Sequence, residues 1–443
     1  MIKLWRCAVL MAVAASGCAL EEGVAHAQDV GVSPTVEQDF PNLGASFKRD
    51  NNISVLERQQ PGYETIPVHL GSFNLTPTLT GGVAYDDNIY AHGASSGREG
   101  DEFGIVRADA AIASTWSRNS LSADIHSEYD GYLNHGDESH TTGGFDLQGR
   151  YDISGDTAVA SQFSFDHLTE SRLASGAPTF TKHPVQYDRT LFSLEGGQAF
   201  NRIRIEAAFD YSYVSFYNAE TPENVFVQQA YRDRALYAGR IRAEYAVSPD
   251  TSIFVEARGN DRVYPSTLGN PSTYLRASHG YEFDTGVNFD LTQEVRGQVA
   301  VGYLDQLFKD PRLPTTDGLG ARGQIEWFPT GLTTVTLRGQ RELADSALAA
   351  TPILTDSSVG VEVDHELLRN VVLVGRFDYG SDDYHGISRT DTRPSASLGA
   401  NYLLNRLLTL KVLYTYLSQT SSGAQAGGAF NDNRILLTLA AHY

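Results

Sequence analysis

The sequence predicts an all-β protein, a transmembrane antiparallel up-and-down β-barrel of about 18 strands. Three observations support this prediction. Apolar and polar residues alternate along the last ten residues, short and long connections alternate along the chain, and aromatic residues gather at the predicted strand ends. Each of these features is typical of a sheet that closes on itself in a membrane.

The last ten residues form the clearest strand. Residues 434–443 read RILLTLAAHY, in which Ile435, Leu437 and Leu439 share one face and more polar residues share the other. This alternation with a period of two indicates a strand with one apolar face, and the aromatic Tyr443 follows it. A strand of this kind is typical of the closing strand of an outer-membrane barrel. The alternative is an edge strand of a soluble sheet.

The N-terminus predicts a secretory signal peptide over residues 1–27. Lys3 and Arg6 precede an apolar stretch over residues 7–20, and Ala25-His26-Ala27 supplies a cleavage site. The apolar stretch is too short for a membrane span. Lipoprotein processing at Cys18 is the alternative, although the usual leucine three residues earlier is missing. Cleavage after Ala27 would remove both cysteines and leave a mature chain without disulfides.

Composition excludes some classes of protein. The mean hydropathy is −0.28, and no later apolar run approaches the length of a helical membrane span. The net charge of −20 argues against nucleic acid as a partner. Charge alone does not distinguish a membrane barrel from a soluble acidic protein.

Two further regions follow the predicted signal peptide. Residues 28–70 are polar and unpatterned, which predicts a periplasmic extension or a plug, with a disordered linker as the alternative. Residues 71–443 form the predicted barrel. Pro77 lies within its first strand and cannot donate to a ladder, so we expect a bulge or register break there.

Short and long connections alternate strictly along the predicted barrel. Outer-membrane barrels have short periplasmic turns and long external loops, whereas soluble sandwiches follow no such rule. Asn, Asp, Gly and Pro explain most of the short turns. These turns are 117–119, 154–156, 201–202, 248–250, 292–293, 329–331, 369–370 and 405–406.

Aromatic residues mark the predicted membrane boundaries. Trp116 and Trp327 adjoin short turns and Tyr443 follows the last strand, so all three are expected in a periplasmic aromatic girdle. Tyrosines such as Tyr85 and Tyr303 lie at the opposite strand ends. The alternative is that aromatic residues favour strand ends in any sheet.

If the apolar row faces lipid, the other row lines the lumen. Earlier strands then present carboxylates, among them Asp109, Asp124, Glu128, Asp130 and Asp146, and later strands present cations beside carboxylates. This pattern favours a selective pore for polar or charged saccharides, and the alternative is that the charges pair and simply fill the barrel. The predicted pore-lining residues are Arg204, Glu206, Arg240, Arg242, Arg258, Arg296, Arg322, Arg338, Arg376, Arg393, Lys411 and Arg434.

Catalytic and metal-binding interpretations are weaker. His126 shares a face with Asp124 and Glu128, but no serine motif accompanies it, so we predict no enzyme and no catalytic residue. His135 and His140 bracket two acidic residues in HGDESH, for which solvated loop charge is the favoured interpretation over a metal site. We accordingly predict no metal and no cofactor.

Short motifs carry a family resemblance. GGVAYDDNIY at residues 81–90, TWSRNSL at 115–121 and RYDISGDT at 150–157 resemble the bacterial putative β-barrel porin type-2 family. The resemblance implies an outer-membrane barrel linked to polysaccharide export or diffusion, and it supplies no catalytic residues. The expected partners are outer-membrane lipid, a polysaccharide or sugar, and proteins of an export complex. A conducting pore, a docking barrel and a barrel enzyme remain open as hypotheses.

Overall fold

The structure is a computed structural model that describes residues 53–93, 96–265, 275–291 and 294–443. The predicted signal peptide, residues 28–52 of the predicted extension and the predicted turn at 292–293 lie outside the described residues.

Strands account for most of the described chain. Strands β1 to β21 are numbered in chain order, and 18 of them have 13 to 16 residues. The short ones are β1 (Val68–Leu70), β9 (Ala219–Glu220) and β10 (Phe226–Val227). The long ones are β2 (Phe73–Asp86), β3 (Asp101–Ser114), β4 (Ser120–Tyr132), β5 (His140–Asp152), β6 (Thr157–Thr169), β7 (Gln186–Phe200), β8 (Ile203–Phe216), β11 (Arg234–Ser248), β12 (Thr251–Val263), β13 (Ser278–Leu291), β14 (Val295–Phe308), β15 (Thr316–Thr330), β16 (Thr333–Asp345), β17 (Ile353–Leu368), β18 (Val371–Tyr384), β19 (Thr390–Asn405), β20 (Leu408–Ser422) and β21 (Phe430–His442).

The long strands form one closed antiparallel barrel. Each pairs with the next long strand along the chain, and β8 pairs with β11 across the connection that contains β9 and β10. The first and last strands close the sheet, with a register from Thr78↔His442 to Asp86↔Arg434. The predicted barrel of about 18 strands is therefore confirmed.

The connections alternate in length as the sequence predicts. One end of the barrel carries short turns such as 201–202 and 369–370, and the other carries long segments such as 170–185 and 217–233. Register shifts at Ala246/Ser248, Trp327/Thr330 and Glu366/Leu368 all adjoin short turns. Bulges at such places are common at the rims of barrels.

The prediction of a bulge or register break at Pro77 is wrong. Strand β2 pairs with β3 in regular register through Pro77↔Ala110. The Tyr443 backbone N–H donates to the Pro77 carbonyl, so the hydrogen-bonding edge of Pro77 faces β21. Pairing between β2 and β21 begins only at Thr78, and Pro77 therefore lies where no ladder donor is required.

Exposed apolar residues cover the outer face of the barrel. Val83, Ile241 and Leu398 lie on this face, and the last strand exposes Ile435, Leu437 and Leu439 while burying Leu436. Trp116, Trp327 and Tyr443 are also exposed, and Trp116 packs edge-on against Phe73. Within the described residues, no helix is long and apolar enough to cross a membrane.

Candidate functional site: the charged interior of the barrel

The candidate site is the inward face of the barrel. Side chains alternate across a strand, so Ile241 is exposed outwards while its neighbours Arg240 and Arg242 point inwards and are covered. The same parity places all 12 predicted pore-lining residues on the inward face. They are Arg204 and Glu206 on β8, Arg240 and Arg242 on β11, Arg258 on β12, Arg296 on β14, Arg322 on β15, Arg338 on β16, Arg376 on β18, Arg393 on β19, Lys411 on β20 and Arg434 on β21.

Four of these arginines form what we call the arginine row: Arg258, Arg322, Arg338 and Arg376. The side chains of Arg258, Arg338 and Arg376 are 38%, 39% and 28% exposed, which is high for inward-facing groups. The side chains of Arg258 and Arg338 are therefore only partly covered by their neighbours, and each guanidinium group carries several N–H donors. Because these donors have fixed geometry, they can bind hydroxyl or carboxylate oxygens.

Carboxylates hold the arginine row in place. Arg322 lies 2.8 Å from both Glu256 and Asp284, and Arg258 lies 2.6 Å from Glu256. Farther along the wall, Arg338 lies 3.1 Å from Glu362 and Arg376 lies 2.7 Å from Asp378. Arg258 and Arg376 pair along their own strands, Arg338 pairs with the adjacent strand, and Arg322 reaches past β14 to β13 and β12. These ion pairs fix the guanidinium groups, and the row is therefore preorganised.

Other predicted pore-lining residues are covered. The Arg242 side chain is 2% exposed, and its guanidinium stacks 3.6 Å above the centre of the Phe254 ring. Phe254 lies flat against the sheet because Gly286 has no β-carbon to collide with it. Arg393 is equally buried and donates to the Leu173 carbonyl at 2.7 Å. Alternation along a strand is the same for exposed and covered inward residues, so the sequence pattern could not predict the exposure of each one.

The early strands carry more acidic side chains on the same face. Arg107 pairs with Asp109 at 2.7 Å and lies 3.9 Å from Glu128. His126 is 3.6 Å from Asp124 and 3.7 Å from Asp166, both beyond a hydrogen bond. This arrangement fits a charged stripe on adjacent strands better than a catalytic group.

One of the long connections crosses the interior at the long-loop end. Residues 170–185 connect β6 and β7, yet they contact β18 and β19 on the far wall. The Ser175 hydroxyl lies 2.7 Å from that of Tyr384, and Leu173 packs with Leu417 and Phe430. We call residues 170–185 the crossing loop, and it narrows the long-loop end of the barrel.

Buried arginines fix the crossing loop and its neighbours. Arg172 forms a bidentate pair with Glu138, with a shortest distance of 2.6 Å, and Arg232 pairs with Glu170 at 2.5 Å. Arg276 donates to the carbonyls of Ser346, Leu348 and Thr351. Burial lowers the pKa of Arg276 and raises that of the neighbouring Tyr264.

The sequence analysis missed these loop arginines. Arg172, Arg232 and Arg276 lie in long connections between strands, and no local sequence pattern predicts that they are buried. The interpretation of HGDESH as solvated charge is also wrong for Glu138, which is buried against Arg172. His135 in this loop instead bonds to the Asp101 carboxylate at 3.0 Å.

The short-turn end contains a second inward element. Residues 53–62, here called the N-terminal segment, lie against the inner wall formed by β14, β16 and β17. The Val55 N–H donates to the inward-facing Thr334 hydroxyl at 3.0 Å, and Gln60 donates to Glu366 at 3.1 Å. Glu57 pairs with Arg296 at 2.7 Å.

Burial alone would raise the pKa of Glu57, but hydrogen bonds from Ser54 and Arg296 hold it below its ordinary value. The ionised carboxylate is thus the form that secures the N-terminal segment to the wall.

Solved structures with a similar fold are bacterial outer-membrane proteins. One is OccK2 (OpdF) of Pseudomonas aeruginosa in complex with glucuronate, which is 11% identical to this chain with a TM-score of 0.44. The alignment covers 83% of this chain and 98% of the OccK2 chain. A BenF-like porin of Pseudomonas fluorescens Pf-5 is 11% identical with a TM-score of 0.44, and the alignment covers 84% of this chain and 100% of the porin chain. The ferric enterobactin receptor PfeA of Pseudomonas aeruginosa is 8% identical with a TM-score of 0.42, and the alignment covers 83% of this chain and 80% of the receptor chain.

Comparison of the sequence with curated proteins finds no significant match. A family model described as Putative beta-barrel porin 2 matches residues 60–443, a range that includes every described strand of the barrel. Because this match covers most of the chain and agrees with the closed barrel, the outer membrane is its location. The chain belongs to the Putative beta-barrel porin 2 family.

Proposed function

We propose that this porin-like barrel is a pore for polar solutes, with saccharides as the favoured solutes and exopolysaccharide export as the setting. The arginine row is the observation that carries the proposal. Its guanidinium groups are held by carboxylates yet remain accessible inside the barrel, as Arg258 and Arg338 illustrate. A surface of alternating donors and acceptors can exchange hydrogen bonds with sugar hydroxyls as a chain passes.

The saccharide preference rests on chemistry and on the family resemblance. Hydroxyl-rich solutes need donors and acceptors close together, and the pairs Arg338–Glu362 and Arg376–Asp378 offer both. The resemblance to porin-like proteins of polysaccharide operons points to the same class of solute.

A second candidate function is a docking barrel that does not conduct. The observation that favours it is the presence of an inward element at each end, the crossing loop and the N-terminal segment. A docking barrel would be electrically silent in a lipid bilayer and would be recovered with export proteins. A barrel enzyme has no comparable support in the geometry around His126.

Ion selectivity tests the pore directly. Arg338→Gln removes an inward guanidinium and leaves Glu362 without its partner, so the reversal potential under a KCl gradient should shift towards cations. Arg341→Gln is the matched control, because Arg341 lies on the same strand but is exposed on the outer face.

Equal reversal potentials for wild type, Arg338→Gln and Arg341→Gln would place Arg338 outside the conduction path. The saccharide preference is measured separately, as block of the current by oligosaccharides added to one side. A conducting barrel that no saccharide blocks would retain the pore and contradict the solute class.

A further inference from the structure

The motif that carries the family resemblance contains two adjacent aspartates. Asp86 ends the first barrel strand, where it meets the last strand, and Asp87 and Asn88 follow it. The Asp87 N–H donates to the Asn433 carbonyl at 3.1 Å, and the Asn433 N–H donates to the Asp87 carboxylate at 2.8 Å. These residues therefore lie on the seam that closes the barrel.

Three carboxylates converge on this seam. One oxygen from each of Asp86, Asp87 and Asp432 lies within 4.8 Å of one from each of the others. Calcium binds oxygen ligands at about 2.3–2.6 Å, so oxygens on opposite sides of the ion are about 5 Å apart. The three oxygens are thus close enough to share one ion. An oxygen-only set favours a hard cation over zinc or copper.

Asp432 supplies a second and independent observation. The residue is 1% exposed, and neither oxygen of its ionised carboxylate accepts a hydrogen bond from an N–H or O–H group among the described residues. A buried carboxylate without a partner is costly, and native structures rarely retain one without compensation. By contrast, the buried Asp86 beside it accepts from the Asn88 N–H at 2.8 Å and from Arg434 at 2.6 Å.

The neighbouring cations do not balance these charges. Arg434 pairs with Asp86, and Arg98 reaches Asp87 at 3.3 Å from a partly exposed position. Two guanidinium groups therefore serve three carboxylates, and neither forms an ion pair with Asp432. A divalent cation would offset the remaining negative charge and supply the missing partner of Asp432.

The surrounding chain is held rigidly around this point. Asn88 is fully buried, and its side-chain amide donates to the carbonyls of His92 and Asn431 at 2.9 and 2.8 Å. Its side-chain oxygen in turn accepts from the His92 N–H. The residues that flank Asp86 and Asp432 are thereby tied together before any ion binds.

We propose that Asp86, Asp87 and Asp432 bind a calcium ion that joins the first and last strands of the barrel. Binding stabilises only the closed barrel, because opening the seam separates Asp432 from the other two ligands. Calcium should therefore raise the temperature of unfolding in proportion to the logarithm of its free concentration.

The test uses the whole barrel in detergent after treatment with a chelator. Terbium luminescence, with calcium as competitor, should report a single displaceable ion per chain. Asp432→Asn should weaken calcium binding by about tenfold or more and abolish the rise in unfolding temperature. The matched control is Asp210→Asn, another buried inward carboxylate, which already has a partner in Ser193.

Calcium binding that is unchanged in Asp432→Asn, or absent from wild type, would overturn the proposal. Absence of calcium binding in the wild type would mean that Asp432 is neutral and shares a proton with Asp86. If Asp432→Asn does not fold, the partly exposed Asp87→Asn takes its place. Weaker displacement of terbium by calcium in that variant supports the site, and unchanged displacement overturns it.

Discussion

At the scale of single residues, exposure divides inward arginines into two kinds. Arg258 and Arg338 are accessible to solutes, whereas Arg242 is enclosed by Phe254, Glu244 and Glu256. The alternation in sequence places both kinds on the same face. It cannot separate them, because enclosure depends on neighbouring strands and on Gly286, which are distant in sequence.

The enclosed Arg242 should matter for stability more than for conduction. Arg242→Gln leaves the buried carboxylate of Glu244 without its cation and removes one of the three guanidinium groups around Glu256, which should cost about 3 kcal/mol or more of the free energy of unfolding. Urea unfolding in detergent, followed by the fluorescence of Trp116 and Trp327, measures this loss. The exposed Arg341→Gln variant is the control. If Arg242→Gln loses no more unfolding free energy than this control, the ion pair of Arg242 with Glu244 does not stabilise the fold.

At the scale of elements, the strands and turns were predictable and the inward elements were not. Strand positions follow from local alternation, and short turns follow from their Asn, Asp, Gly and Pro residues. The crossing loop depends on contacts between Ser175 and Tyr384 and between Leu173 and Arg393, which are more than 200 residues apart. Local patterns contain no information about such contacts, so the path of the crossing loop could not be predicted from the sequence.

The crossing loop should limit the current through the pore. Deleting residues 174–180 removes the part that reaches Tyr384, so single-channel conductance should increase. Deleting residues 311–315 from the loop between β14 and β15 is the matched control, because most of that loop is exposed. Equal conductance in both variants and in wild type would show that the crossing loop leaves the narrowest part of the path unchanged.

The N-terminal segment should respond to acid. The pKa of Glu57 is lowered in the folded protein, so its contribution is fully present above the ordinary value of 4.5 and is lost as pH falls through the folded value. Below about pH 4.5 the ion pair between Glu57 and Arg296 should break and release the N-terminal segment from the inner wall. We therefore expect the conductance of the wild type to rise there.

Glu57→Gln should already show the higher conductance at neutral pH and a weaker dependence on acid. If Glu57→Gln keeps the full acid response of the wild type, another group holds the N-terminal segment in place.

At the scale of the whole molecule, the closed barrel explains why the two faces of its wall differ in polarity. Exposed apolar residues such as Val83 and Leu398 meet lipid, and the inward row carries the charge. Several carboxylates of the later strands, among them Glu256 and Glu362, face an arginine inside the barrel, so part of the negative charge is compensated there. The proposed function requires this interior to be a path for ions and sugars.

Single-channel recording of the wild-type barrel in a planar lipid bilayer tests that claim most directly. We expect discrete current steps in KCl, with a selectivity that depends on Arg338. Bilayers that contain the inserted protein yet stay electrically silent, for both the wild type and the variant lacking residues 174–180, would contradict it.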